Sequence, residues 1–396
     1  MPPVFRAGEM KASRGRAVAI VVAIVCAFVV VTTALGAGDD GSPATGPRYP
    51  VIVHRGASLP PPSAAQKVPL LIALHASGGS PSWFEQVSQL DTVADRYGFV
   101  VAYLSSHTPT APAWRFANQA DDLAYIRAEI QQLVVSQNID PKRVYATGFS
   151  AGATMSFFVG CLLSKYVAGI AVVSGAMRFT DTCTLAHPVS ELLVIGTKDV
   201  IPIDGTPILL SANQVAAKWR ALDACTGPPA TSTEGPVDES VWTSCDDRAA
   251  VGLDVVQNGN HQWPGGPRSS GADAKFDAAN ALWAFFTAHP GPTSLTAPSA
   301  SLKTVSVHRT GTKRWVEGVV AAAGSRVTAR LTLRRAAPGA AARTIALRLG
   351  RGATASLTVR LPAVAPAGRY VLTLTLTDPY GRTATTARTV TLPAAK

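Results

Sequence analysis

Ser150, Asp199 and His261 have the residue types, and the order along the chain, that acyl transfer through a serine needs. Ser150 stands at the centre of Gly148-Phe149-Ser150-Ala151-Gly152, a G-x-S-x-G pentapeptide. A serine hydroxyl is a weak nucleophile until a base takes its proton, and that base must be oriented by an acid. The glycines fit such a role. A serine at the top of a sharp strand-to-helix turn leaves no room for side chains two residues before and after it. The bare pattern arises by chance in roughly one chain of this length in five to ten, so the pentapeptide needs partners. Asp199 closes Gly196-Thr197-Lys198-Asp199 after an apolar run, with Asp204 its nearest competitor. His261 lies in the tight loop Asn258-Gly259-Asn260-His261-Gln262-Trp263-Pro264-Gly265-Gly266. An oxyanion would need two backbone N–H groups, expected from Ala151 and from Ala76 or Ser77. Trp263 and Trp114 are candidate walls of a substrate pocket. His75 is expected to brace the oxyanion loop and is a candidate for substrate binding alongside the two tryptophans.

The elements that must position these residues are legible as alternating apolar runs and amphipathic stretches. Val68 to His75 is continuously apolar, as a parallel strand buried on both faces should be. A helix is expected over 82–97 and a strand over 98–104. Asp121-Asp122 then opens a helical pattern with Leu123, Ile126, Ile130 and Leu133 on one face. The nucleophile strand follows Asp140-Pro141. Strands over 168–174, 191–195 and 252–256 alternate with helices around 209–222 and 273–288. Alternation of this kind predicts an α/β fold, a mainly parallel sheet with helices on both faces. Catalytic groups collect at the carboxyl ends of such strands, where Ser150, Asp199 and His261 all fall.

Beyond a Pro/Ser/Thr-rich linker the texture changes to period-two alternation, as in Val327–Leu333 and Tyr370–Leu376. This predicts a small all-β, immunoglobulin-like sandwich. The expected organisation is a signal peptide or membrane anchor over 1–36, a linker over 37–48, a catalytic domain over 49–290, a linker over 291–301 and the sandwich over 302–396. The N-terminal reading rests on Arg6, Lys11, Arg14 and Arg16 preceding an apolar run from Ala17 to Leu35. The chain is therefore expected outside the cytoplasm, secreted or anchored to the outer membrane face. Of five cysteines, Cys26 falls in that run. The other four allow three pairings, and the sequence-local one, Cys161–Cys183 with Cys225–Cys245, is adopted. Metal binding has no CxxC or His-rich spacing behind it.

The net charge of +11 is uneven: 16 Lys+Arg stand against 2 Asp+Glu from residue 300 onward, which is +14, and the remainder carries −3. A polymer or an envelope surface is a candidate partner for that basic segment. A nucleic-acid partner is not expected, and a monomer is.

These stretches together resemble the polyhydroxybutyrate-depolymerase-like and feruloyl-esterase-like branch of carbohydrate esterase family 1, over roughly 66–290. The resemblance is carried by Leu70–His75 and the glycines after it, Ala94–Tyr103, Asp121–Arg127, Ile139–Gly152, Gly196–Asp199 and His261–Gly266. It implies an α/β-hydrolase fold, ester hydrolysis by a Ser150–His261–Asp199 triad, and no cofactor or metal. It is also consistent with a Cys225–Cys245 disulfide. In place of the family's glycine after the loop histidine stands Ala76. A left-handed conformation there would cost an alanine about 1 kcal/mol. Val200 replaces the usual proline. The C-terminal segment lies outside the resemblance. Two other readings share part of the sequence: an envelope acyltransferase with the same triad, and a catalytically weak envelope-binding protein.

Overall fold

The computed structural model describes residues 48–106, 113–116 and 119–291, then 299–310, 313–323, 327–336, 342–349, 354–361, 366–377 and 383–392. The N-terminal apolar run, most of the first linker, His107 and residues 292–298 lie outside them. Among the described residues no helix is long and apolar enough to cross a membrane.

A nine-stranded sheet forms the centre of the first unit. Its strands are β1 (Ile52–Arg55), β2 (Val68–Leu74), β3 (Val100–Leu104), β4 (Ile139–Phe149), β5 (Gly169–Val173), β6 (Ser190–Gly196), β7 (Ala230–Glu234), β8 (Val237–Trp242) and β9 (Val251–Val256). The order is β1-β3-β2-β4-β5-β6-β9-β8-β7. The six strands from β3 to β9 in that order are parallel, and antiparallel strands close both edges. The helices are α1 (Pro81–Ser88), α2 (Leu90–Tyr97), α3 (Ala120–Ser136), α4 (Ala151–Leu162), α5 (Ala212–Leu222) and α6 (Ala278–Ala288).

Strand pleating splits the core into two layers. Leu70, Ile72 and Leu74 of β2 point to one side, where they meet Ile126 of α3, Phe157 of α4 and Trp219 of α5. Leu71 and Ala73 point to the other, against Phe84 of α1, Leu90 of α2 and Phe286 of α6. All seven β2 residues are buried, which is why the strand reads as a continuous apolar run rather than an alternating one. The chain winds from β2 to β3 on one side and returns to β4 on the other. The topological switch therefore falls between β2 and β4, where ligand crevices form in open α/β sheets.

Three local expectations need correction. The stretch 82–97 is two helices, because Gln89 adopts a left-handed conformation (φ 59°) that ends the first and starts the second. The last helix begins at Ala278, capped by Asp277, after a short 3-10 turn over Asp273–Lys275. The edge hairpin β7–β8 was not anticipated. Every residue of β7 is exposed, so no apolar periodicity marked it.

The C-terminal segment holds two antiparallel sheets. One has the order β10-β11-β14, from β10 (Ser299–Thr310), β11 (Lys313–Ala323) and β14 (Thr354–Leu361). The other has the order β13-β12-β15-β16, from β12 (Val327–Arg335), β13 (Ala342–Leu349), β15 (Gly368–Thr377) and β16 (Thr383–Leu392). Leu302 and Val316 of the first sheet share a core with Leu331, Leu333, Leu372, Leu374 and Leu376 of the second. Cys161 is bonded to Cys183 and Cys225 to Cys245, closing loops of 22 and 20 residues. Cross-links of this span stabilise by about 3 kcal/mol each.

Candidate active site

β4 delivers Ser150 into a backbone conformation with φ 55° and ψ −114°, outside the regions an L-residue ordinarily occupies. Such strain costs on the order of 1–3 kcal/mol and persists only where the surroundings over-determine it. The surroundings here are close. A Cβ on Gly148 would lie 2.3 Å from the Gly152 carbonyl carbon, and one on Gly152 would lie 1.9 Å from the Leu74 carbonyl oxygen and 2.6 Å from that of His75. The Ser150 N–H donates to Val173 O at 3.0 Å, tying the elbow to β5. Gly152 therefore presses the start of α4 onto the end of β2, so Ser150 and the loop after His75 hold each other in place.

β6 runs into a turn in which Asp199 N donates to Gly196 O (3.2 Å). The Asp199 carboxylate accepts from Ile201 N through Oδ1 (2.8 Å). β9 runs into the histidine loop, stitched to that turn by Lys198 N donating to Gly259 O (2.8 Å) and Asn258 N donating to Thr197 Oγ1 (2.8 Å). The same Asp199 Oδ1 lies 2.7 Å from His261 Nδ1, and His261 Nε2 lies 2.9 Å from Ser150 Oγ. The Asp199 side chain is fully buried, while the imidazole keeps a fifth of its surface exposed. A carboxylate only accepts, so Nδ1 carries the proton and Nε2 presents its lone pair to the serine hydroxyl. Asp204 is exposed and bonds to neither.

The remaining predicted residues divide. Ala151 is the first residue of α4, and no helical carbonyl lies a turn behind it to accept its N–H. Ala76 keeps an ordinary negative φ, as its absence from the left-handed residues shows, so the strain expected of an alanine there does not arise. Ser77 is exposed on the same loop. His75 is corrected as a substrate contact only, because its side chain is completely buried and offers nothing to a substrate. Its Nδ1 donates to Ala76 O (2.7 Å) and its Nε2 accepts from Ser106 N (3.0 Å). Burial pushes its pKa down and favours this neutral form. It joins the ends of β2 and β3 beneath the oxyanion loop. Trp114 and Trp263 are also corrections, being 3% and 2% exposed. Trp114 donates from Nε1 to His75 O (2.8 Å), and Trp263 meets the edge of Phe84 at 5.2 Å. Large aromatic surfaces beside small-residue loops were drawn under the rim rather than left on it.

Three contributors escaped the sequence reading. Asp273, 1% exposed, accepts from Asn260 N at 2.8 Å and so pins the residue before His261. Phe149 packs its ring 5.0 Å from the imidazole. Trp83, half-buried, stacks 6.5 Å from Phe149 and covers Gly79 of the oxyanion loop. Asp273 had no motif around it. The sign that was available for Trp83 was its place four residues after a glycine pair, at the start of a helix.

Residues 54–196 match the family described as Esterase PHB depolymerase. That span includes Ser150 and stops short of Asp199 and His261. Feruloyl esterase B of Piromyces equi is 32% identical over 211 residues, 49% of this chain and 39% of that protein. Putative esterase NocK of Nocardia uniformis subsp. tsuyamanensis is 28% identical over 241 residues, 52% of this chain and 68% of that protein. The chain thus spans about two fifths of the length of the first of these relatives. Among solved structures, acetyl xylan esterase from Aspergillus awamori superposes with a TM-score of 0.43 at 14% identity, over 58% of this chain and 93% of that one.

Proposed function

We propose that this chain, polyhydroxybutyrate-depolymerase-like and feruloyl-esterase-like in sequence, hydrolyses carboxylic esters through Ser150, His261 and Asp199. The observation that carries the reading is the unbroken hydrogen-bonded relay Asp199–His261–Ser150 at a strained elbow. In the mechanism, His261 Nε2 takes the Ser150 proton as Oγ attacks the ester carbonyl. The oxyanion accepts from the N–H of Ala151 and one from the loop at Ala76 or Ser77. Collapse breaks the bond to the alcohol oxygen, which leaves with the proton from His261. Water then enters, gives its proton to His261 and attacks the acyl-enzyme, and Ser150 departs with that proton restored. Asp199 keeps Nδ1 protonated and offsets the imidazolium charge throughout.

The substrate class follows the names of the relatives, which include feruloyl and acetylxylan esterases. Acylated polysaccharides and polyhydroxyalkanoate esters are the panel to compare. Two disulfides suit an oxidising compartment, so the reading includes export, with catalytic residues in 49–290 and a separate sandwich from 302. Ser150→Ala in purified protein should abolish turnover of p-nitrophenyl acetate and labelling by a fluorophosphonate while leaving circular dichroism intact. Turnover within tenfold of the parent would end the claim.

A further inference from the structure

The C-terminal segment carries the molecule's excess charge, and its own carboxylates cannot neutralise it. From residue 300 onward only Glu317 and Asp378 face 16 Lys+Arg, and Glu317 already lies 3.2 Å from His308. The four strands β13, β12, β15 and β16 contain no acidic residue. Their inward residues, such as Leu331 and Leu374, fill the core. Strand alternation therefore sends Arg330, Thr332 and Arg334 of β12 to the opposite face. Register sets Arg330 beside Thr375 and Thr332 beside Thr373. Hydroxyl pairs join Thr332 to Thr344 (2.9 Å) and Thr375 to Thr385 (3.3 Å). Arg330 and Arg334 are exposed and, four residues apart on one strand, stand about 13 Å from each other. Arg369 is exposed at the head of β15 on the same face.

We propose that this face docks an extended, carboxylate-bearing polysaccharide. Guanidinium forks match carboxylates in geometry and charge, and the threonine hydroxyls between them match the hydroxyls of a sugar chain. A neutral glycan or single-stranded nucleic acid would need stacking aromatics, and the described outward residues of these strands include none. Insertion into a lipid surface would need an apolar rim, and among the described residues on this face Val371 is the one large apolar side chain. A phosphate polymer would use the arginines and leave the hydroxyl rows idle.

The test titrates the full chain with polygalacturonate, unsubstituted xylan, polyphosphate and phosphatidylglycerol vesicles at about 50 and 300 mM salt, since screening at the higher value shortens the Debye length to about 6 Å. Polygalacturonate should bind, with affinity falling at least tenfold at the higher salt. Arg330→Glu with Arg334→Glu should weaken it at least tenfold, and Arg330→Lys with Arg334→Lys, which keeps the charge and loses the fork, should weaken it by a smaller factor of about three to five. If the reversal lowers the melting transition, the neutral pair Arg330→Gln with Arg334→Gln is read instead, and a loss of threefold or more is expected. Absence of binding, equal binding of xylan, tighter binding of polyphosphate or vesicles, or indifference to both arginine pairs would overturn the proposal.

Discussion

Gly152→Ala should separate stability from catalysis at the elbow. The added methyl would sit 1.9 Å from the Leu74 carbonyl oxygen, 2.5 Å from its carbon and 2.6 Å from the His75 oxygen. Non-bonded carbon and oxygen settle beyond 3 Å, so α4 and the end of β2 must part by about 1 Å. Backbone atoms on both sides leave no flexible side chain to give way. Overpacking of this kind costs about 1–3 kcal/mol, a drop of several degrees in Tm for a domain of this size. The larger effect is geometric. Ser150 immediately precedes α4, and the loop carrying Ala76 immediately follows His75, so the same displacement moves nucleophile and oxyanion donors apart. A misplacement of about 1 Å costs on the order of 100-fold. The expected result is a folded protein with kcat for p-nitrophenyl acetate down about 100-fold and KM changed far less. The assay is steady-state hydrolysis beside a melting curve. A kcat within threefold of the parent would refute the argument that this contact sets the site.

Asp199→Asn should lower kcat by about 10³–10⁴-fold with little change in Tm, because an amide can donate to Nδ1 and leave Nε2 protonated, unable to accept from Ser150; a pH–rate profile on the soluble ester checks it. Glu191 is completely buried, neither carboxylate oxygen has a partner among the described residues, and burial followed by repulsion from Asp223 and Asp254 holds its pKa well above the usual range. Its native form therefore keeps a proton that the unfolded chain releases, so its contribution is full below about pH 4.5 and is lost as pH rises toward the folded value. Glu191→Gln should match the parent near pH 4 and melt higher at pH 8, as calorimetry at the two values would show; a parallel pH dependence in both proteins counts against it. Trp83→Ala should raise KM for bulky esters by about fivefold, the worth of one aromatic contact, with a smaller effect on the acetate; equal loss of kcat on both would assign the indole to packing instead.

How much of this was legible differs from residue to residue. The glycines at 148 and 152 announce a tight elbow because few other residues fit one, and the unbroken apolar run of β2 announces a strand buried on both faces. Residue type and chain order were enough to choose Ser150, Asp199 and His261 for a shared site, and local spacing enough to pair the cysteines. The exposed edge strand β7 left no trace, since alternation marks a strand only where one face is buried. The corrected aromatics fail for a related reason. A tryptophan beside a loop looks alike in sequence whether it lines a cleft or fills the space under it, and only the surrounding volume decides. So the sequence by itself determined which residues are candidates for a shared site and on which strand ends they are mounted. Tertiary structure alone decided that His261 meets partners 62 and 111 residues away, that Asp273 steadies its loop, and that His75 is locked inside. Those contacts join distant segments, and their lengths are set by how two layers of helices pack on one sheet.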